Sequence, residues 1–174
     1  MLRFVLALVA MSSSPAHALA ADIRNIGCVQ ENVTAETQRL LRADVENNFD
    51  NTDDPYSAAT SDGLAVAAEI CQTKFGWSMA ATEAATLYAL FHLAQQVTRE
   101  RAIKAGLDYG ALERRFATLN AEEQTDATRE DILNKLAVGA LDDKEITEAN
   151  AETAGVIFGF FAVRGKAIHD FTVN

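Results

Sequence analysis

The side chains best spaced for chemistry in this chain lie on one polar line: Tyr88, His92, Gln95 or Gln96, and Arg99. Steps of three and four residues put them on one face of a helix. Glu83 stands about a turn earlier, nearer the apolar stripe of the same helix. A neutral imidazole beside a phenol, with a carboxylate near, can act as a general base or hold a small polar ligand. The plainer reading, and the favoured one, is a boundary His whose ring packs while its nitrogens meet water or a neighbour. Tyr88 and His92 stand as the candidate ligand-binding residues.

The other chemically suggestive segment is acidic. Between Arg42 and Lys74 stand Asp44, Glu46, Asp50, Asp53, Asp54, Asp62 and Glu69, with no basic residue among them. Asp50, Thr52 and Asp54 match alternate positions of a calcium loop. However, Pro55 stands where an EF-hand needs glycine, and Ser61 where it needs a bidentate glutamate. The segment therefore reads as a solvated acidic loop. Asp50, Asp53, Asp54 and Asp62 are its candidate contacts for a cation or a basic partner.

Other chemistries find little support. His92 and His169 are the histidines beyond the first twenty residues, and no Cys/His cluster has metal-ligand spacing. Ser57, Ser61 and Ser78 lie outside any Gly-x-Ser-x-Gly, and no glycine-rich phosphate loop occurs. The carboxylate pairs Asp53-Asp54 and Asp142-Asp143 fall in turns and caps. A sugar cleft needs aromatic walls, which one Trp and three Tyr supply poorly. No catalytic residue, metal or cofactor is expected, which argues against an enzyme.

Cys28 and Cys71 are the two cysteines. Their simplest fate in an oxidising compartment is a disulfide tethering an extended N-terminal segment, Asp22 to Gln30, to a helix. A redox-active pair is the weaker alternative, since no C-x-x-C is present. The compartment follows from the start of the chain. Arg3, an apolar run from Phe4 to Met11, a break at Ser12–Pro15 and the exit Ala18-Leu-Ala20 read as a signal peptide. The run is too short to cross a bilayer. The expected mature protein is 21–174, exported to a bacterial periplasm or beyond the cell, with no transmembrane segment.

The formal net charge of the full chain is −10, and losing Arg3 makes the mature chain one charge more acidic. Such a surface repels phosphate backbones and anionic membranes, so nucleic acid is excluded as a partner. An apolar fraction of 49%, two prolines and abundant alanine predict a globular helical chain.

The pattern predicts one all-α domain, a bundle of about six helices, with a long third helix and an apolar sixth helix at its centre. The first runs from Ala35 to Phe49, capped by Thr34, with Leu41, Val45 and Phe49 on its stripe. Asp50 to Asp62 is the longest loop. The second helix spans Gly63 to Phe75 and stops at Gly76. Ser78 caps the third, Met79 to Ala105, whose apolar stripe is Leu87, Leu90, Phe91, Ala94 and Val97. Asp108 caps a fourth ending near Leu119. An Asn120/Glu123 capping box opens a fifth that reaches Leu141. The sixth starts at Asp142 with Glu145, or at Thr147, and runs to Arg164, with Phe171 and Val173 as docking groups in a tail. Ala151, Gly155 and Gly159, every fourth residue, are expected to let another backbone approach closely, within the same chain. Trp77 is either a binding anchor or, as favoured, a plug between the second and third helices.

A weak internal repeat joins 33–94 to 119–163. Val33-Thr-Ala-Glu-Thr-Gln38 echoes Leu119-Asn-Ala-Glu-Glu-Gln124, and Trp77–Phe91 lines up with Ile146–Phe160. Chance matching of alanine-rich helices is the favoured explanation. Function is then expected to be non-enzymatic: an exported acidic interaction module steering a basic protein through the acidic segment. The alternative is a carrier of a small ligand or cation, or an enzyme without a recognised motif. Its site would lie near Tyr88 and His92 or in the Asp50–Asp62 loop.

Overall fold

The computed structural model describes residues 21–49 and 56–174. The described residues are all-helical, as expected. They form α1 (Cys28–Asn32), α2 (Ala35–Asn47), α3 (Ala58–Phe75), α4 (Met79–Lys104), α5 (Tyr109–Phe116), α6 (Ala121–Thr125), α7 (Glu130–Asp142) and α8 (Ala151–Val173). Two short 3-10 segments, Ile23–Asn25 and Glu148–Asn150, complete the list. Eight α-helices replace the expected six. The expected signal peptide, 1–20, lies outside the described residues, as do Asp50, Asp53 and Asp54.

The extra helices have local causes. The N-terminal segment is not extended: Asp22 caps a 3-10 turn, and α1 carries Cys28. The Cys28 and Cys71 sulfurs are bonded at 2.09 Å, joining α1 to α3. The expected fifth helix breaks into α6 and α7. The Asn120/Glu123 box forms as expected, but the chain turns after Thr125, with the Arg129 N–H donating to the Asp126 carbonyl and Ala127 buried in the bend.

Helix α3 begins five residues before the expected Gly63. Ser57 caps it, and Asp44 of α2 anchors the cap. The Asp44 carboxylate accepts from the Ser57 N–H (2.9 Å), the Ser57 hydroxyl (2.8 Å) and the Thr60 hydroxyl (2.6 Å). Burial works against that carboxylate, but the bonds from Thr60 and Ser57 prevail and hold its pKa below the ordinary 3.8. Gly63, inside α3, lets the two helices close: a Cβ there would meet the Thr37 hydroxyl at 2.3 Å.

Helices α4 and α8 form the centre, packing on each other more extensively than any other pair. The buried face of α4 is largely alanine: Ala81, Ala85, Ala89 and Ala94 are fully covered, beside Leu90 and Val97. From α8 come Ile157, Phe158 and Phe161. Small residues on one helix leave room for the aromatics of the other. Leu87, expected on the buried stripe, is instead 43% exposed.

The start of α8 follows the Thr147 alternative. Thr147 and Asn150 bond across the turn, while Glu145 is drawn away from any cap by an ion pair with Arg115, which also holds Asp143. Nor does α8 stop at Arg164. It continues to Val173 because Ala167 and Phe171, one turn apart, are buried. Phe171 meets Trp77 edge-on at 5.0 Å, and Trp77 stacks on Phe75 at 5.3 Å. Trp77 is thus buried as a plug between α3, α4 and α8. Val173 is exposed.

Candidate functional site

The polar line on α4 is real as a line. Tyr88 and His92 stack with centroids 5.9 Å apart. Burial, then the nearby Arg164 charge, pushes His92 below its ordinary 6.5, so the ring is neutral at pH 7. His92 opens onto a groove of about 670 Å³ with Gln95, Gln96 and Arg99 on one side, and Gln38, Arg39 and Arg42 of α2 on the other. Tyr88 is not among the residues lining that groove. Glu83 does not join them. Nine residues at about 100° each place it on the opposite side of the helix from His92. Arg39 and Arg42 are engaged by Glu36 (2.7 Å), and by Glu46 (2.8 Å) and Glu100 (2.9 Å). No acid–base pair is assembled around His92 among the described residues.

The acidic segment divides. Asp44 is consumed by the α3 cap and Glu46 by Arg42. Asp62 and Glu69 are exposed on α3, and neither is in an ion pair among the described residues. Seven residues apart, they share one stripe of the helix. Within the described residues no group of His, Cys, Asp and Glu is placed to hold a metal ion.

Beside that stripe runs a groove of about 770 Å³ between α3 and α4. Leu64 and Ala68 form its buried floor. Ala65, Met79 and Leu87 border it, with Met79 72% exposed. Glu69 and Glu83 line it from the two helices, and no basic residue among the described residues does. The tight turn at Gly76, held in the left-handed region (φ 66°), makes α3 and α4 antiparallel. Gln72 is then level with Met79, and Glu69 with Glu83. Glu83, too, has no ion pair among the described residues.

A second concavity, about 540 Å³, lies where α2, α4, α7 and α8 meet. Phe49, Phe91 and Phe160 wall it, Leu133 and Val163 add aliphatic surface, and Gly155 and Gly159 lie along the α8 side. Phe160 lies nearly parallel to Phe49 at 6.0 Å and edge-on to Phe91 at 5.0 Å. The two glycines overturn the expected close backbone approach. A Cβ at either position would meet nothing within 4 Å. Each costs the helix about 0.5–1 kcal/mol relative to alanine, and no packing contact among the described residues requires it.

Sequence periodicity could not find this pocket, because its walls come from four helices whose meeting is tertiary. The signal that was present is the two glycines inside an otherwise apolar helix. No family model, curated protein or solved structure matches the chain.

Proposed function

We propose that this chain is a non-enzymatic, exported interaction module that holds a basic amphipathic helix of another protein in the α3/α4 groove. The observation that carries the reading is the pairing of an apolar floor with unpaired carboxylates. Among the described residues most acids elsewhere have a cation, whereas Glu69 and Glu83 line this partly apolar groove without one. Like charges at one level across a groove repel, and a cationic partner relieves that repulsion.

The dimensions suit a helix. From Ser61 to Gln72 the groove wall runs about 16 Å, or three turns. A partner with apolar residues at i, i+3/i+4 and i+7 would set them against Leu64 and Leu87 at one end, Ala68 in the middle and Met79 at the other. Its Lys or Arg residues on each flank would meet Glu69 and Glu83. Export agrees with the disulfide and with the finding that no helix among the described residues is long and apolar enough to cross a membrane.

The test uses a designed Leu/Lys amphipathic helix of about 18 residues and its Leu/Glu counterpart. The Lys peptide should bind, and weaken roughly tenfold between about 0.05 and 0.5 M salt. The double variant Glu69→Gln/Glu83→Gln should lose a similar factor without losing stability. Equal affinity for the two peptides, or a salt-independent Kd, overturns the proposal.

A further inference from the structure

We infer that the pocket between α2, α4, α7 and α8 is a binding site for an uncharged, ring-bearing apolar small molecule. Its volume of about 540 Å³ lies within the range of protein ligand sites, roughly 300–1,000 Å³. An apolar cavity of about 150 Å³ already takes up benzene, so this one has room for roughly two to four rings. Phe49 and Phe160 lie nearly parallel, Phe91 meets Phe160 edge-on, and the Arg101 guanidinium sits over the Phe49 ring at 5.2 Å, so the three rings form one packed aromatic wall.

Charge narrows the class. Among the described residues no Asp, Glu, Lys, Arg or His lines the pocket, although charged residues make up 23% of the chain. Among those lining residues neither a carboxylate nor an ammonium would find a counter-ion. The same fact sets this site apart from the α3/α4 groove, whose rim is acidic. A single side chain offered by a partner protein would leave most of the volume unfilled, forfeiting the contacts that make burial favourable.

Tyr56 is among the residues lining the pocket. Burial and the Asp44 charge push its pKa up to about 12, so it keeps its proton at physiological pH. A protonated phenol can donate to a hydroxyl or carbonyl oxygen on an otherwise apolar ligand. The glycines explain why the space is open. Side chains on α8 at 155 and 159 would enter the cavity directly, since the Cβ positions face no atom within 4 Å.

The experiment is fluorescence titration of the full, oxidised chain with N-phenyl-1-naphthylamine, an uncharged two-ring-system probe, together with a thermal melt. Saturable binding at one site and a rise in Tm are expected. Gly155→Leu and Gly159→Leu, which fill the cavity, should each weaken the probe roughly tenfold or more while the helical spectrum is retained. If both leucine variants fail to fold, Gly159→Ala decides: it should melt higher than the parent without probe and bind the probe several-fold more weakly. Glu69→Gln/Glu83→Gln should leave the probe Kd unchanged, so the groove and the pocket succeed or fail separately. Non-saturable partition overturns the inference. So does an unchanged Kd in the folding glycine variants, or probe fluorescence that tracks a dimer in native mass spectrometry.

Discussion

Removing the Asp44 carboxylate tests whether the start of α3 is set by tertiary capping. One oxygen, Oδ2, accepts all three bonds, from the Ser57 N–H, the Ser57 hydroxyl and the Thr60 hydroxyl. Thr60 is fully buried, so its hydroxyl would lose its charged acceptor without regaining water. A hydrogen bond to a charged group contributes about 1.5–3 kcal/mol net, and loss of an N-cap about 1 kcal/mol. The three bonds share one acceptor and are not additive, so Asp44→Ala should cost about 2–3 kcal/mol. In urea, with a slope of about 1–3 kcal/mol/M, the midpoint should fall by roughly 1 M. A loss under about 0.5 kcal/mol, as for an ordinary surface residue, would refute the capping argument.

The same carboxylate supplies a pH signature. Its folded-state pKa lies below the ordinary 3.8. A depressed acid contributes stability above its unfolded pKa and loses that contribution as pH falls through the folded value. The parent should therefore hold a plateau above about pH 5 and lose stability below about pH 4, whereas Asp44→Asn should show a shallower acid limb. Acid limbs of equal slope would show that the Asp44 pKa is not lowered by folding.

Further outcomes follow from the same geometry. Reducing the Cys28–Cys71 bond, which closes a separation of 43 residues, should destabilise the chain by about 2–4 kcal/mol in denaturant titrations with and without reductant. Phe158→Ala, from a fully buried site, should cost about 3–5 kcal/mol in the same assay. Phe160→Ala should cost distinctly less, because that ring is half-buried on the pocket wall; equal losses would mean the pocket is filled in solution. Gly155→Ala and Gly159→Ala should each raise stability by about 0.5–1 kcal/mol, as helix propensity alone dictates.

What the sequence made legible was local. Thr34, Ser78, Asp108 and Asn120 cap the helices they were expected to cap, because a side-chain oxygen meeting an N–H two or three residues on involves nothing distant. Gly76 stops α3 because its left-handed backbone suits glycine alone. The errors are those of distance. Ser57 looked like loop because the acid that fixes it lies thirteen residues away on α2. The expected end at Arg164 falls short because the Phe171–Trp77 contact that carries α8 past it is long-range. At the site level, the polar α4 line could be read as a face, but not what it faces: α2 arginines already bound by glutamates, rather than a carboxylate. Glu83 could have been excluded from that face by helical angle alone.

The Asp44 cluster also bears on both recognition surfaces. Tyr56, just before the cap, walls the apolar pocket, and Ser61, at the end of the first turn of α3, lines the groove. On α4, Leu87 borders the groove while Phe91, one turn on, walls the pocket. The start of α3 therefore shapes a wall of each, and one acceptor oxygen holds it. Loosening that turn adds an ordering cost to binding at either place. Asp44→Ala should weaken both the Lys peptide and the naphthylamine probe, by several-fold each, although the residue lines neither surface. Ser57→Gly, which keeps the carboxylate and removes one hydroxyl, should give a smaller loss at both. If Asp44→Ala lowers stability but leaves both dissociation constants unchanged, the cap holds the fold without ordering the sites. If it weakens only one, the two surfaces do not share this turn, and the shared anchoring argued from Tyr56 and Ser61 fails.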